Sequence, residues 1–362
     1  MGAIDSRTGP GPAPALRPGV TLVELLVVVA LAMMVAGVAF SLHALNSQSY
    51  FREDAYIHQQ QNLRAALYFL SRDLRMAGNG LKILGPEVKL VQAWTPSRQK
   101  FTGGVVGMEY SPGWFSHPDS TAPGFRSIFG VDGGAELPDT VTAFRSEVEY
   151  PTPLGLVSAY EDSLHRLVLV ETIKDNVIKP GDIVALVNGT VACILETESI
   201  SNVNIDIKAG GRFTSPDGLP PGFPVVGATV YNLRDVVLNT YYIDAANNRL
   251  LVSPHDSSKT GNADFGFATV VANNVEDLQL YYFIDDQVVD LAMLEHDPVI
   301  GSDALDNHAV KVVGVGLTAL SGYGDGSPMR YRPKLFNRNA GTITDKNRRS
   351  YLAEFIYLRN YP

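Results

Sequence analysis

Residues 19–26 read GVTLVELL and residues 25–40 read LLVVVALAMMVAGVAF. The second string carries no charge and no strongly polar group. Extended back to Val20 and forward to Leu45, it gives 26 residues interrupted by Glu24, Ser41 and His43. A helix rises about 1.5 Å per residue, so roughly 20 residues cross the hydrocarbon layer of a bilayer. This segment is long enough to span. Ahead of it, residues 1–19 are rich in glycine and proline and carry Arg7, Arg17 and Asp5, a net +1 that fits the cytoplasmic side. A cleavable secretory signal would show an apolar run of about 7–15 residues followed by a small-residue cleavage site. Here the run is longer and continues straight into a helical pattern, so retention is expected.

Glu24 is the costly residue. A carboxylate near the start of a membrane helix costs a few kcal/mol and needs a reason. A position at the interface, with the side chain reaching for water, is one such reason. A defined partner for the charge is another.

Beyond the span, residues 47–76 are polar but periodic. Leu63, Ala66, Leu67, Leu70 and Leu74 recur at three- and four-residue intervals on one helical face, while Arg64, Arg72, Asp73 and Arg75 fall largely off it. Gly78-Asn79-Gly80 suits a helix stop, because glycine accepts the left-handed conformation. No proline lies between Val20 and Gly80. One helix of nearly 60 residues is expected, with Gly37 as its weak point. Its first half suits a membrane, and its amphipathic second half suits a head domain.

Residues 81–362 read mainly as strands. Runs rich in Val, Ile, Tyr and Phe occur at 167–173, 183–195, 229–232, 240–243, 278–284 and 310–320. Asn188-Gly189 and residues 244–249 (DAANNR) look like hairpin turns. Residues 103–138 and 209–224, punctuated by proline and glycine, read as long loops. The expected fold class is α+β: a long N-terminal helix packed on a mainly antiparallel β head. The expected organisation is a leader over 1–19, a spanning helix over 20–45, an amphipathic helix over 46–80 and a head over 81–362, with an insertion around 85–165.

Composition narrows the chemistry. The chain has 362 residues, a formal charge of −9 and a single cysteine, Cys193. The charge argues against a generally basic nucleic-acid binder. One cysteine excludes an intramolecular disulfide and a CxxC metal site. No GxSxG, HExxH or GxxxxGK[ST] string is present, so hydrolase, zincin and P-loop readings lack their entry points and a non-enzymatic role is expected. Cys193 lies in the apolar run 191–195, where a buried inert thiol is expected. From Val270 to Val310 there are nine acidic residues and no Lys or Arg, including Asp285, Asp286, Asp290, Asp303 and Asp306. Calcium favours clustered carboxylates, but no EF-hand spacing occurs, so a solvated acidic face is the plainer reading and no cofactor is expected. The C-terminal residues 326–362 hold Arg330, Arg332, Lys334, Arg338, Lys346, Arg348, Arg349 and Arg359 against Asp345 and Glu354, a balance of +6. That patch could meet DNA phosphates, an acidic face of another subunit, or only solvent.

The segment Gly19-Val20-Thr21-Leu22-Val23-Glu24-Leu25-Leu26 strongly resembles the type III signal of type IV prepilins and type II secretion pseudopilins. Val20, where an aromatic or methionine is commoner, and Pro18 depart from the pattern. The resemblance implies that a prepilin peptidase cuts after Gly19 and methylates the new N-terminus, Val20. It implies that Thr21, Leu22, Val23, Leu25 and Leu26 belong to the recognised motif. Glu24 then lies where it can neutralise a neighbouring subunit's terminal amine. Residues 59–80 (QQQNLRAALYFLSRDLRMAGNG) resemble the PilW-type minor pilins and the related J-type pseudopilins. The stretches 181–196, NNVEDLQLYYFID ending at Asp285, and FIYLRN at 355–360 agree in part. The length favours the PilW type. The resemblance implies a single-pass inner-membrane protein with a periplasmic head, joining other minor pilins and the major pilin in initiating or capping a type IV pilus. Two alternatives stand beside it: a J-type pseudopilin of a type II secretion system, and a signal-anchored periplasmic binding or DNA-capture module that never polymerises.

Overall fold

The structure is a computed structural model. It describes residues 21–80, 89–92, 94–95, 113–114, 128–131, 138–174, 177–189, 191–211, 214, 217–219, 222–254, 268–284, 287–290, 310–320, 330–332, 341–343 and 349–358. The chain is α+β and divides into two units, Met1–Asp54 and Ala55–Pro362.

Helix α1 covers Leu22–Arg75. The strands follow: β1 (Lys89–Gln92), β2 (Trp94–Thr95), β3 (Gly113–Trp114), β4 (Ile128–Val131), β5 (Thr140–Ser146), β6 (Thr152–Glu161) and β7 (Arg166–Leu169). Then come β8 (Ile183–Asn188), β9 (Val191–Ser201), β10 (Asn204–Ile207), β11 (Thr229–Arg234), β12 (Val236–Asp244), β13 (Arg249–Pro254) and β14 (Thr269–Asn273). Last are β15 (Val275–Ile284), β16 (Gln287–Asp290), β17 (Val310–Leu320), β18 (Arg330–Arg332), β19 (Gly341–Ile343) and β20 (Arg349–Tyr357).

In the first unit, the helix is apolar on every side from Leu25 to Phe40, and every residue from Thr21 to Asn46 is exposed. That pattern has no inward face, so no protein core formed it. In the second unit the period changes. Leu63, Ala66, Leu67, Leu70 and Leu74 are buried together, as the spacing predicts. They pack on a five-stranded sheet, order β14-β13-β12-β5-β4, and a four-stranded sheet, order β16-β15-β17-β20. Each such leucine contributes roughly 1.5–3 kcal/mol when fully buried.

The expected helix stop is present and does more than end the helix. Gly78 and Gly80 both have positive φ, 76° and 84°. A Cβ at Gly80 would lie 2.5 Å from the Ser146 Cβ, so glycine is required by approach as well as by conformation. The Gly78 amide donates to the Phe144 carbonyl at 2.8 Å, and the Asn79 side chain donates to the Ser146 carbonyl at 2.9 Å. The turn thereby fastens the end of α1 to β5.

Between β5 and β12, which pair directly with each other, the chain builds a separate body. β8 pairs with β9, β9 with β10, β10 with β7, β7 with β6, β6 with β11, and β11 back with β8, all antiparallel. The ring closes into a six-stranded barrel, with β10 covering only the second half of β9 on that side. β1 is added to β9 in parallel. The barrel has its own core, including Val157, Leu167, Leu186, Cys193, Leu195 and Ile205. The hairpin at Asn188-Gly189 joins β8 to β9, and residues 245–248 join β12 to β13, both at the expected turns. Of the expected insertion around 85–165, the described part is 89–92, 94–95, 113–114, 128–131 and 138–165; there β4 and β5 belong to the five-stranded sheet, and the barrel spans 152–234.

On the barrel's outer surface, Arg166 of β7 donates to Asp206 of β10 at 2.6 Å. That hydrogen bond lowers the Asp206 pKa below the ordinary carboxylate value, with a further contribution from the Ser199 hydroxyl. A lowered folded-state pKa contributes stability above the unfolded value, and the contribution is lost as pH falls through the folded value. Stability should therefore decline below about pH 4, the ordinary aspartate range. Replacing the residue (Asp206→Asn) should flatten that part of the acid limb in melts of the full chain recorded across pH.

Candidate functional site

The first turn of α1 collects most of the sequence-predicted residues. Thr21 stands just before the helix. Its hydroxyl accepts the Glu24 amide at 3.3 Å, and its carbonyl accepts the Leu25 amide at 3.1 Å. Thr21 is thus the N-cap, and Thr21-Leu22-Val23-Glu24 has the spacing of a capping box. Glu24 is exposed in the first turn, where the partial positive charge of a helix N-terminus favours an anion by about 0.3–1 kcal/mol. Leu22, Val23, Leu25 and Leu26 are all more than half exposed around it. One ungrouped carboxylate therefore sits in an apolar collar at the helix start. Gly19 and Val20 lie outside the described residues.

Farther along, Leu22–Arg75 includes a segment long and apolar enough to cross a membrane, with none of that segment buried. Ser41, its polar interruption, donates its hydroxyl to the Gly37 carbonyl at 2.9 Å and so meets its hydrogen-bond need within the helix. Such internal pairing is what a hydrocarbon environment demands.

The second unit fastens the other end of α1 with polar groups that periodicity assigned to solvent. Asp73 reads as an off-stripe charge, yet it is fully buried. Its Oδ2 accepts from the Tyr241 hydroxyl at 2.7 Å and from the Asn239 amide at 2.7 Å. Its Oδ1 accepts from Arg72 at 3.0 Å and lies 3.4 Å from Arg145 Nε. Burial, and then the Asp73 charge, push the Tyr241 phenol up, so it stays protonated and donates. Gln59, also buried, donates to the Ala319 carbonyl and accepts from the Ser350 hydroxyl at 3.2 Å. Arg75 meets Glu354 of β20 at 3.0 Å. Polar contacts thus tie α1 to both sheets, in addition to the leucine stripe.

The two charge clusters turn out to be partly one feature. Glu276, from the acidic stretch, and Arg349, from the basic end, form a buried two-pronged pair at 2.7 and 3.1 Å. Asp277, next to it, is buried as well. Glu276, Asp277 and Arg349 are therefore not part of a solvated face. Asp290 ends β16, and Arg330 and Arg332 lie in β18. Asp285, Asp286, Asp303, Asp306, Lys334, Arg338, Lys346, Arg348 and Arg359 lie outside the described residues. No group of three or more His, Cys, Asp or Glu residues able to hold a metal occurs among the described residues. Cys193 is buried inside the barrel, and burial pushes its thiol pKa far up, the opposite of a nucleophile.

No protein-family model matches the chain, and no curated protein does. Among solved structures, one match is a type IV-like pilin from Thermus thermophilus, 14% identical, with a TM-score of 0.20, over 51% of this chain and 87% of that one.

Proposed function

We propose that this protein is a minor pilin of the PilW type, a non-enzymatic subunit stored in the inner membrane that takes part in initiating or capping a type IV pilus. One observation carries the reading. A capped helix begins at Leu22, presents a single carboxylate in its first turn, stays apolar on all sides through the next turns, and then becomes amphipathic where it enters a β head. A membrane anchor accounts for the first half, and the pairing proposed for Glu24 accounts for a carboxylate kept at its start.

In this reading a prepilin peptidase cuts between Gly19 and Val20 and methylates the Val20 amine. The apolar helix holds the subunit in the membrane with its head in the periplasm. Glu24 pairs with the terminal amine of a neighbouring subunit during assembly. A carboxylate and an ammonium are each costly in a dry helix bundle and tolerable together, which favours one axial register over others. Partners are the other minor pilins and the major pilin.

Intact mass measurement of the membrane-extracted protein tests this. The expected species begins at Val20 and carries one added methyl group. A species retaining residues 1–19, or beginning elsewhere, would refute the proposal. A gene neighbourhood of type II secretion components would instead favour the J-type pseudopilin.

A further inference from the structure

We propose that Tyr50, Phe51 and Arg52 form a second membrane-contact site on α1, seated in the phospholipid headgroup layer on the side away from Glu24. The inference rests on the spanning reading of α1 and sharpens where that span ends.

The sequence expectation ends the membrane segment at residue 45, where apolar residues stop dominating. Charge marks a different limit. No Asp, Glu, Lys or Arg occurs between Glu24 and Arg52, a stretch of 27 residues. In the continuous helix Leu22–Arg75 this stretch is about 40 Å long at 1.5 Å per residue. The hydrocarbon core with both headgroup layers is about 40–45 Å thick. The uncharged stretch therefore matches the whole bilayer, not only its core. Centred on Val38, the midpoint of the uncharged stretch, the ~30 Å core covers about ten residues to either side, which leaves Glu24 in one headgroup layer and Tyr50 in the other.

The residues at that second boundary have the chemistry such a layer recruits. Asn46, Ser47, Gln48 and Ser49, at the edge of that core, are polar without charge. Tyr50 and Phe51 then follow, both exposed, at 72% and 55%. Aromatic side chains concentrate at bilayer boundaries because their rings are apolar and their edges or hydroxyls tolerate headgroups. Arg52 comes next, a cation placed to meet lipid phosphates, and only after it do Glu53 and Asp54 appear. Aromatics ahead of the cation, and the cation ahead of the acids, is the order expected for a chain leaving lipid for water.

Depth-sensitive labelling of the full-length protein in vesicles of phosphatidylethanolamine and phosphatidylglycerol tests the assignment. Cys193 is buried and unreactive in the folded barrel, so a cysteine placed on α1 can be labelled alone. A fluorophore would be attached at Met34→Cys, Ser49→Cys or Ile57→Cys. The expected emission is strongly blue-shifted at 34, water-like at 57 and intermediate at 49. Adding Tyr50→Ser and Phe51→Ser should move the label at 49 to the water-like value and leave 34 unchanged. A water-like label at 49 with the aromatics present would overturn the proposal, and so would a label at 49 that ignores their removal. An intermediate value at 49 that appears only at high protein-to-lipid ratio would also overturn it, because another copy, not lipid, would then cover the rings. A water-like label at 34 is a separate result that refutes the spanning reading itself.

Discussion

Replacing Asp73 with alanine should destabilise the head by about 3–5 kcal/mol, the range for removing one member of a buried ion pair. The carboxylate is fully buried and satisfies the Tyr241 hydroxyl, the Asn239 amide and Arg72, with Arg145 at 3.4 Å. Arg72 is half-exposed and can turn to water, but the Arg145 side chain is only 19% exposed. Alanine leaves that guanidinium without its countercharge and leaves a buried phenol without an acceptor, which costs more than any single lost contact. Unfolding in guanidinium, followed by circular dichroism, measures the loss. Asp73→Asn keeps the shape and one acceptor oxygen and should fall between the parent and Asp73→Ala. Exposed Glu171→Ala is the control and should stay within about 0.5 kcal/mol of the parent. If Asp73→Ala unfolds at the parent's midpoint, the network does not hold α1 to the sheet.

Asp73 also marks the limit of what the sequence reveals. The leucine stripe was legible because helical periodicity is local: residues three and four apart must share a face. The two turns at 188–189 and 245–248 were legible for the same reason, since asparagine and glycine carry their own backbone preference. Asp73 follows no such rule. Its burial depends on Asn239 and Tyr241 on β12, more than 160 residues later. A charge beside an apolar stripe is assigned to solvent unless its partner is known. Glu276 and Arg349 are missed in the same way, because their pairing across the four-stranded sheet joins segments that look like opposite charge clusters. The barrel shows a third version of the problem. Several of its strands are readable as apolar runs, but closure depends on β6 and β11 meeting and on β8 pairing with two partners. Nothing within one strand specifies those neighbours. In the first turn of α1, by contrast, the chemistry is contiguous. Six residues between Thr21 and Leu26 fall together, and only the capping role of Thr21 is added by the structure.

Replacing Glu24 with alanine should abolish filament incorporation while leaving the protein in the membrane with a folded head. Two roles compete for this carboxylate, and their magnitudes separate them. As a partner of the helix N-terminus, it contributes about 0.3–1 kcal/mol, less than a tenfold effect on any equilibrium. As the partner of a neighbouring subunit's amine in a dry bundle, its removal leaves an uncompensated buried charge worth about 3–5 kcal/mol. That corresponds to roughly a hundredfold to several-thousandfold loss of incorporation. Quantifying this protein in filaments sheared from cells, against its amount in the membrane fraction, distinguishes the two. Glu24→Gln removes the charge with little change in size and should fail nearly as badly as Glu24→Ala. Thr21→Ala removes the cap that the Glu24 amide uses, at a cost of about 1 kcal/mol, and leaves the carboxylate in place. It should therefore incorporate within about tenfold of the parent. Equal losses for Thr21→Ala and Glu24→Ala, with both variants processed to a Val20 start, would reduce Glu24 to a helix-end residue. No loss for either would favour an anchored periplasmic module that never polymerises.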